Sequence, residues 1–225
     1  MIDYKLIRSN RKSVAIYVRD GGVEVRAPQR VPRHDIDRFV ASKEKWIHDS
    51  LRKTIERSEK RESFALDYGG ALLYRGREYP ITARSGNKVG FADDAFYMPP
   101  ALPPEEVRYA CVQIYRMLAR RYLISRTYDI AQKMGAMPAA VKINNAKKRW
   151  GSCSAKKSIN FSWFLIMADD EVIDYVIVHE LAHMTQMNHS AGFWSIVERV
   201  IPDYKARKAR LSVLQKRISN EDWGE

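Results

Sequence analysis

Apolar and polar residues alternate in SVAIYVR and VEVRA near the start of the chain, the period-two pattern of strands half-buried against a core. Three strands are expected, at 3–8, 13–19 and 23–27, with Gly21-Gly22 as a hairpin turn. The period then lengthens. Ile36, Phe39, Val40, Lys43, Trp46, Ile47 and Leu51 share one helical face, which predicts a helix over 33–59 with the Lys43 stem laid along that face. Residues 60–67 are charged and read as a link. Beyond them, YGGALLYRGREYPITAR and KVGFADDAFYMPP predict hairpins turning at Arg75-Gly76 and near Asp93-Asp94, whose strands extend the first sheet.

Pro99, Pro100, Pro103 and Pro104 interrupt regular structure and set a boundary near 100, and Pro103 or Pro104 can open a helix. Val107, Ala110, Cys111, Ile114, Tyr115, Leu118, Tyr122 and Ile130 then form the inner stripe of a long helix over 104–134, ended by Gly135. VKINNAKKRWGSCSAKKSINFSWFLIMA reads as two or three antiparallel strands with a turn near Lys156-Lys157. Asp169 or Asp170 caps the next helix, whose residues Val172, Ile173, Tyr175, Val176, Ile177 and Val178 are apolar almost all round, so that it must be buried. Ser190 caps another over SAGFWSIVERVI, Pro202 breaks it, and residues 203–219 form a basic helix anchored by Leu211, Leu214 and Ile218. The tail NEDWGE is expected to fray. The fold class is therefore α+β: a β-rich N-terminal region of antiparallel strands with one helix over 1–100, and over 101–225 a domain with a long helix, a small antiparallel sheet and the buried helix.

That buried helix carries the chemistry. HELAH places His179 and His183 one turn apart on the same face, where both imidazoles can reach one metal ion, and sets Glu180 beside them. Two histidines and a carboxylate in a buried helix need partners, and a metal supplies them for the histidines. A catalytic zinc takes a third protein ligand. His189 leads, since three of the five histidines fall between 179 and 189, and Glu198 on the following helix is its rival. Asn188 can take the left-handed conformation that turns the chain back toward the metal. His34 and His48 stand apart and read as surface residues.

Composition narrows the setting. The chain has 225 residues, 45% of them hydrophobic, and a formal net charge of +12. Its apolar runs are shorter than a membrane span, and MIDYKLIRSNRKS lacks the apolar core of a signal peptide. Cys111 and Cys153 sit in unlike contexts, which argues against a disulfide framework and fits a cytoplasmic location. The positive charge, concentrated in KKRWGSCSAKK and YKARKARLSVLQKR, draws polyanions, yet no helix-turn-helix, zinc-finger or RNA-binding signature accompanies it.

RWGSCS at 149–154, INFSWFLIMA at 159–168, VIDYVIVHELAHM at 172–184 and NHSAGFW at 188–194 resemble the YgjP-like metallopeptidase family, related to SprT-like and minigluzincin-type zinc peptidases. SNRKSVAIYVRDGGVEVRAPQRVP resembles the family's opening strands more weakly. The resemblance implies a zincin-like C-terminal domain, His179, His183 and His189 as ligands of Zn2+, and Glu180 as catalytic acid/base. In related zinc peptidases an edge strand before the zinc helix holds extended substrate, so Arg149 and Trp150 are candidate substrate contacts. The leading expectation is a zinc-dependent hydrolase, a metallopeptidase in which Glu180 takes a proton from a zinc-activated water and delivers it to the leaving amine. Its substrate would be a peptide or protein. One alternative keeps the metal and makes the substrate a nucleotide, a UTP-type pyrophosphohydrolase with Lys147, Lys148, Arg149 and Lys156 on the phosphates. Another is a nucleic-acid-associated protease or binder drawn by the basic surface.

Overall fold

The computed structural model describes residues 2–19 and 21–224. The alternating segments near the start form β1 (Lys5–Ser9), β2 (Ala15–Arg19) and β3 (Gly22–Pro28). β3 is central, antiparallel to β2 and parallel to β1, so the sheet is mixed where antiparallel strands were expected. Alternation identifies a strand but carries no direction. The expected single helix is two, α1 (Arg33–Ser42) and α2 (Glu44–Glu62), broken at Lys43, whose ψ is 10°. That break resets the helical phase: Ile36, Val40 and Ile47 are buried with Val23, Val25 and Ala27, whereas Trp46 turns to solvent.

The chain divides into two compact units, residues 1–64 and 65–225. The hairpins after residue 65 therefore stand in the second unit and do not extend the first sheet. β4 (Ala71–Tyr74), β5 (Arg77–Ala83), β6 (Gly90–Ala92) and β7 (Ala95–Met98) form a sheet of their own, in the order β4-β5-β7-β6 with β5 and β7 parallel. Its two hairpins turn at Arg75-Gly76 and Asp93-Asp94, all four residues having positive φ, the geometry that matches strand twist. Phe96 and Met98 are fully buried, and Phe96 meets Tyr115 of the long helix with ring centroids 5.3 Å apart.

That helix, α3 (Pro104–Met134), opens on Pro104 and closes on Gly135, at φ 64°. Of its predicted stripe only Tyr122 is less than buried. β8 (Ala140–Asn144), β9 (Gly151–Cys153) and β10 (Ser158–Ser162) follow, in the order β8-β10-β9, with β8 parallel to β10 and β9 antiparallel at the edge. This small sheet is mixed as well. A buried 3-10 turn over Trp163–Met167 delivers the chain to α4 (Asp170–Ala182), then α5 (Ala191–Val200) and α6 (Tyr204–Ser219). Residues 220–224 of the tail do not fray: Trp223 is 4% exposed and packs edge-on against Tyr115 and Trp163. Glu225 lies outside the described residues. No helix among the described residues is long and apolar enough to cross a membrane.

α4 is held from several sides. The Asp169 side chain accepts from the Val172 N–H at 3.0 Å and caps the first turn. The β4–β5 turn abuts the same place, where a Cβ on Gly76 would lie 2.7 Å from that of Asp169. Arg75 donates from Nε to Asp170 at 2.7 Å and stacks on Tyr122 of α3, while Arg126 grips Asp174 through two hydrogen bonds of 2.7 Å. Arg210 of α6 pairs with Asp169 and Glu171.

Candidate metal centre

Nine residues of α4, from Val172 to Ala182, are buried, so the helix fixes whatever it carries. His179 and Glu180 lie in its last turn, and His183 is its C-cap. The chain then runs through residues 184–188 to His189, and Ser190 caps α5 by accepting from the Phe193 N–H at 3.4 Å. Asn188 is not left-handed as expected. Its side-chain oxygen accepts from the Ser190 N–H at 3.3 Å, a turn that brings the chain back without positive φ.

The outcome is a cluster of three imidazoles. One ring nitrogen from each of His179, His183 and His189 lies within 4.8 Å of the others. Nε2 of His179 and of His189 are 3.1 Å apart, and the buried Phe193 ring packs within 4.8 Å of all three rings. Glu198 is exposed and outside the cluster.

The electrostatics favour neutral imidazoles at His179 and His189. Burial, and then the charges of His183, His189 and Lys208, push His179 down to about 3. His189 is lowered too, by burial first. His183 Nδ1 lies 3.0 Å from the Gln186 carbonyl, which can only accept, so Nδ1 carries a proton. The buried Nδ1 of His179 has no hydrogen-bond partner among the described residues. Three imidazole nitrogens within 4.8 Å of one another suit a divalent cation. Three imidazoles are the donor set of a catalytic zinc.

Glu180 is 5% exposed, and burial raises its carboxyl to about 7 against the opposing charge of Arg149. It and His179 line a cleft of about 390 Å3, walled by Trp150, Tyr175, Lys148 and Lys208. The space for Glu180 comes from Gly151, where a Cβ would lie 2.6 Å from Glu180 Oε1. Of the two candidate substrate contacts, Trp150 lines the cleft, and Arg149, exposed, reaches it through its charge on Glu180. Cys153 is a free thiol raised by burial, and Cys111 is buried in the core.

Three features were not read from sequence. Nothing in the sequence around Gly151 shows its purpose, which appears only in its contact with Glu180. Lys208 looked like one charge among many on a basic helix, and Tyr175 like one apolar position among many. A larger cavity, about 620 Å3, lies along another face of α4 but touches none of the three histidines.

This mixed α+β fold with a three-histidine cluster defines a hydrolase of the zinc metallopeptidase class. The family model for the YgjP-like metallopeptidase domain matches residues 12–213, and the chain belongs to this family. Among solved structures, it is similar to the metallopeptidase zymogen abylysin of Pyrococcus abyssi, at 25% identity over 40% of this chain and 92% of that one, with a TM-score of 0.38. It is also similar to the zymogen jannalysin of Methanocaldococcus jannaschii, at 21% identity over 42% and 95%, with a TM-score of 0.36. No curated protein matches.

Proposed function

We propose that the protein cleaves peptide bonds, with His179, His183 and His189 holding Zn2+ and Glu180 acting as general base and then general acid. The observation that carries this reading is the placement of a buried carboxyl, raised to about 7, in one cleft with His179. Zinc bound by three imidazoles polarises a carbonyl and acidifies water. Glu180 takes the proton from the attacking water and passes it to the leaving amine, a transfer suited to a group poised near neutrality. Its burial keeps bulk water from competing for that proton. Two donors on the cleft wall can meet the developing oxyanion: the Lys208 ammonium and the Tyr175 hydroxyl, which burial raises to about 12 and so keeps protonated. Trp150 supplies an apolar wall for a substrate side chain.

The test is Glu180→Gln. This variant is expected to keep one zinc per chain, measured by elemental analysis, and to lose at least about 100-fold in kcat on a peptide library. Retained turnover rejects the mechanism. Hydrolysis of nucleoside triphosphates by the zinc-loaded protein, without cleavage of any peptide, rejects the substrate class and leaves the metal centre standing.

A further inference from the structure

The cleft that holds Glu180 and His179 is walled on one side by α6, which presents Lys208, Leu211, Ser212 and Gln215 to it. Spaced at three and four, these positions form one stripe along the helix, roughly 10 Å from end to end at 1.5 Å per residue. Lys208 marks the metal end. Its ammonium lies 5.2 Å from the centre of the Trp194 ring, which in turn stacks on His189 with centroids 5.8 Å apart. Gln215 marks the other end. There its side-chain amide donates to the Lys147 carbonyl at 3.3 Å, and Lys148, the next residue, also lines the cleft.

The charges along this wall are one-sided. Glu180 is 5% exposed, and no other carboxylate among the described residues lines the cleft. Lys148 and Lys208 are both exposed, and neither makes an ion pair among the described residues. Two ammoniums without a carboxylate, beside a site for a divalent cation, repel it and each other, a cost that an anionic group in the cleft removes. At the metal end, under the mechanism proposed above, the developing oxyanion meets Lys208. It does not serve Lys148 at the far end of the stripe. An extended peptide advances about 3.3 Å per residue, so a wall of roughly 10 Å spans about three residues. Lys148 therefore meets the substrate two or three residues away from the bond broken at the metal.

We propose that Lys148 sets specificity by receiving a carboxylate of the substrate two or three residues from the scissile bond, so that the preferred substrates are acidic peptides. This inference rests on the peptidase reading and adds to it the charge of what is cut. Two sources supply such a carboxylate, an Asp or Glu side chain and the free C-terminus of a short chain. Trp150 and the buried Leu211 offer apolar surface to the side chains between the charged group and the metal.

The test uses acetylated, amidated octapeptides that carry Glu or Gln at one scanned position, with cleavage by the zinc-loaded protein read by mass spectrometry. At the position that faces Lys148, the Glu peptide is expected to have a kcat/KM about fivefold above that of its Gln twin, the scale of one partly exposed ion pair. Lys148→Gln is expected to bring that ratio to one, and Lys148→Glu to invert it. Lys133→Glu makes the same change in net charge at the cavity on another face of α4, and is expected to leave the ratio as it is. A ratio taken within each variant is unaffected by a general loss of activity. Peptides with a free C-terminus distinguish the sources: a preference confined to them assigns the site to the chain end, and one seen in the amides assigns it to a side chain. The proposal is overturned by a wild-type ratio of one at every position and with either end. It is overturned equally by a preference that Lys148→Glu leaves standing, or by an equal response to Lys133→Glu. In each of these cases the cleavage itself upholds the peptidase reading. Cleavage of no peptide, with nucleoside triphosphates hydrolysed instead, rejects that reading and the inference with it.

Discussion

Gly151 begins β9 directly against the Glu180 carboxylate, and a methyl group there would sit 2.6 Å from Oε1 and 2.7 Å from Cγ. Neither side can yield cheaply, since Gly151 is paired to Phe161 in the sheet and Glu180 is rooted in a buried helix. Gly151→Ala is therefore expected to turn Glu180 out of place. If Glu180 is the acid/base proposed above, such a shift by about 1 Å lowers kcat roughly 100-fold. The three histidines are untouched, so zinc content should stay at wild-type level; kinetics alongside elemental analysis separates the two effects. Equal loss of zinc would show that the glycine supports the whole helix end. The histidines and Glu180 were legible because helical spacing alone puts them together. Gly151 was not, because its role is the absence of a side chain opposite a residue 29 positions on, and sequence spacing does not show such a contact.

Helices were read nearly to the residue where a cap or breaker marks them, as Pro104 and Gly135 do for α3. Strand direction was not read, since β1 and β8 each run parallel to a strand beyond their neighbour in sequence. The start of α4 rests on charge as well as capping. Arg75's hydrogen bonds hold the Asp170 carboxyl below its ordinary value of 3.8, and the Tyr122 hydroxyl adds to this. A depressed pKa contributes stability that is fully present above the ordinary value and is lost as pH falls through the folded one. Asp170→Asn should accordingly destabilise the protein by about 1 kcal/mol near neutral pH, the modest figure reflecting a side chain that is 46% exposed. The gap between the variant and wild type should close as pH drops below about 4. Thermal melts across that range provide the check, and a gap that widens in acid would contradict the assignment.

The prolines at 99–104 marked a break in secondary structure, which sequence shows well. They do not mark the break in packing, which falls at 64/65. Phe96 and Met98 are fully buried, Phe96 against α3, and the Arg75-Gly76 turn sits on the α4 cap, all contacts distant in sequence. A fragment of residues 65–225 is thus expected to fold and to bind zinc with wild-type stoichiometry. One of residues 101–225 is expected to lose cooperative unfolding, having exposed the apolar face of α3. Circular dichroism melts of both fragments decide this, and a stably folded shorter fragment would restore the boundary at 100.

The two facing nitrogens, on His179 and His189, belong to residues 10 positions apart with the end of α4 and the connecting residues 184–188 between them. An ion gripped by both would act as a stitch across that segment, which includes the exposed Met187. Chelation would then do more than silence the enzyme. With the stitch cut, residues 184–188 should become a point of attack for other proteases, and limited digestion with and without chelator should show a new cleavage between the two helices. The life of the molecule, and not only its activity, would follow the supply of metal.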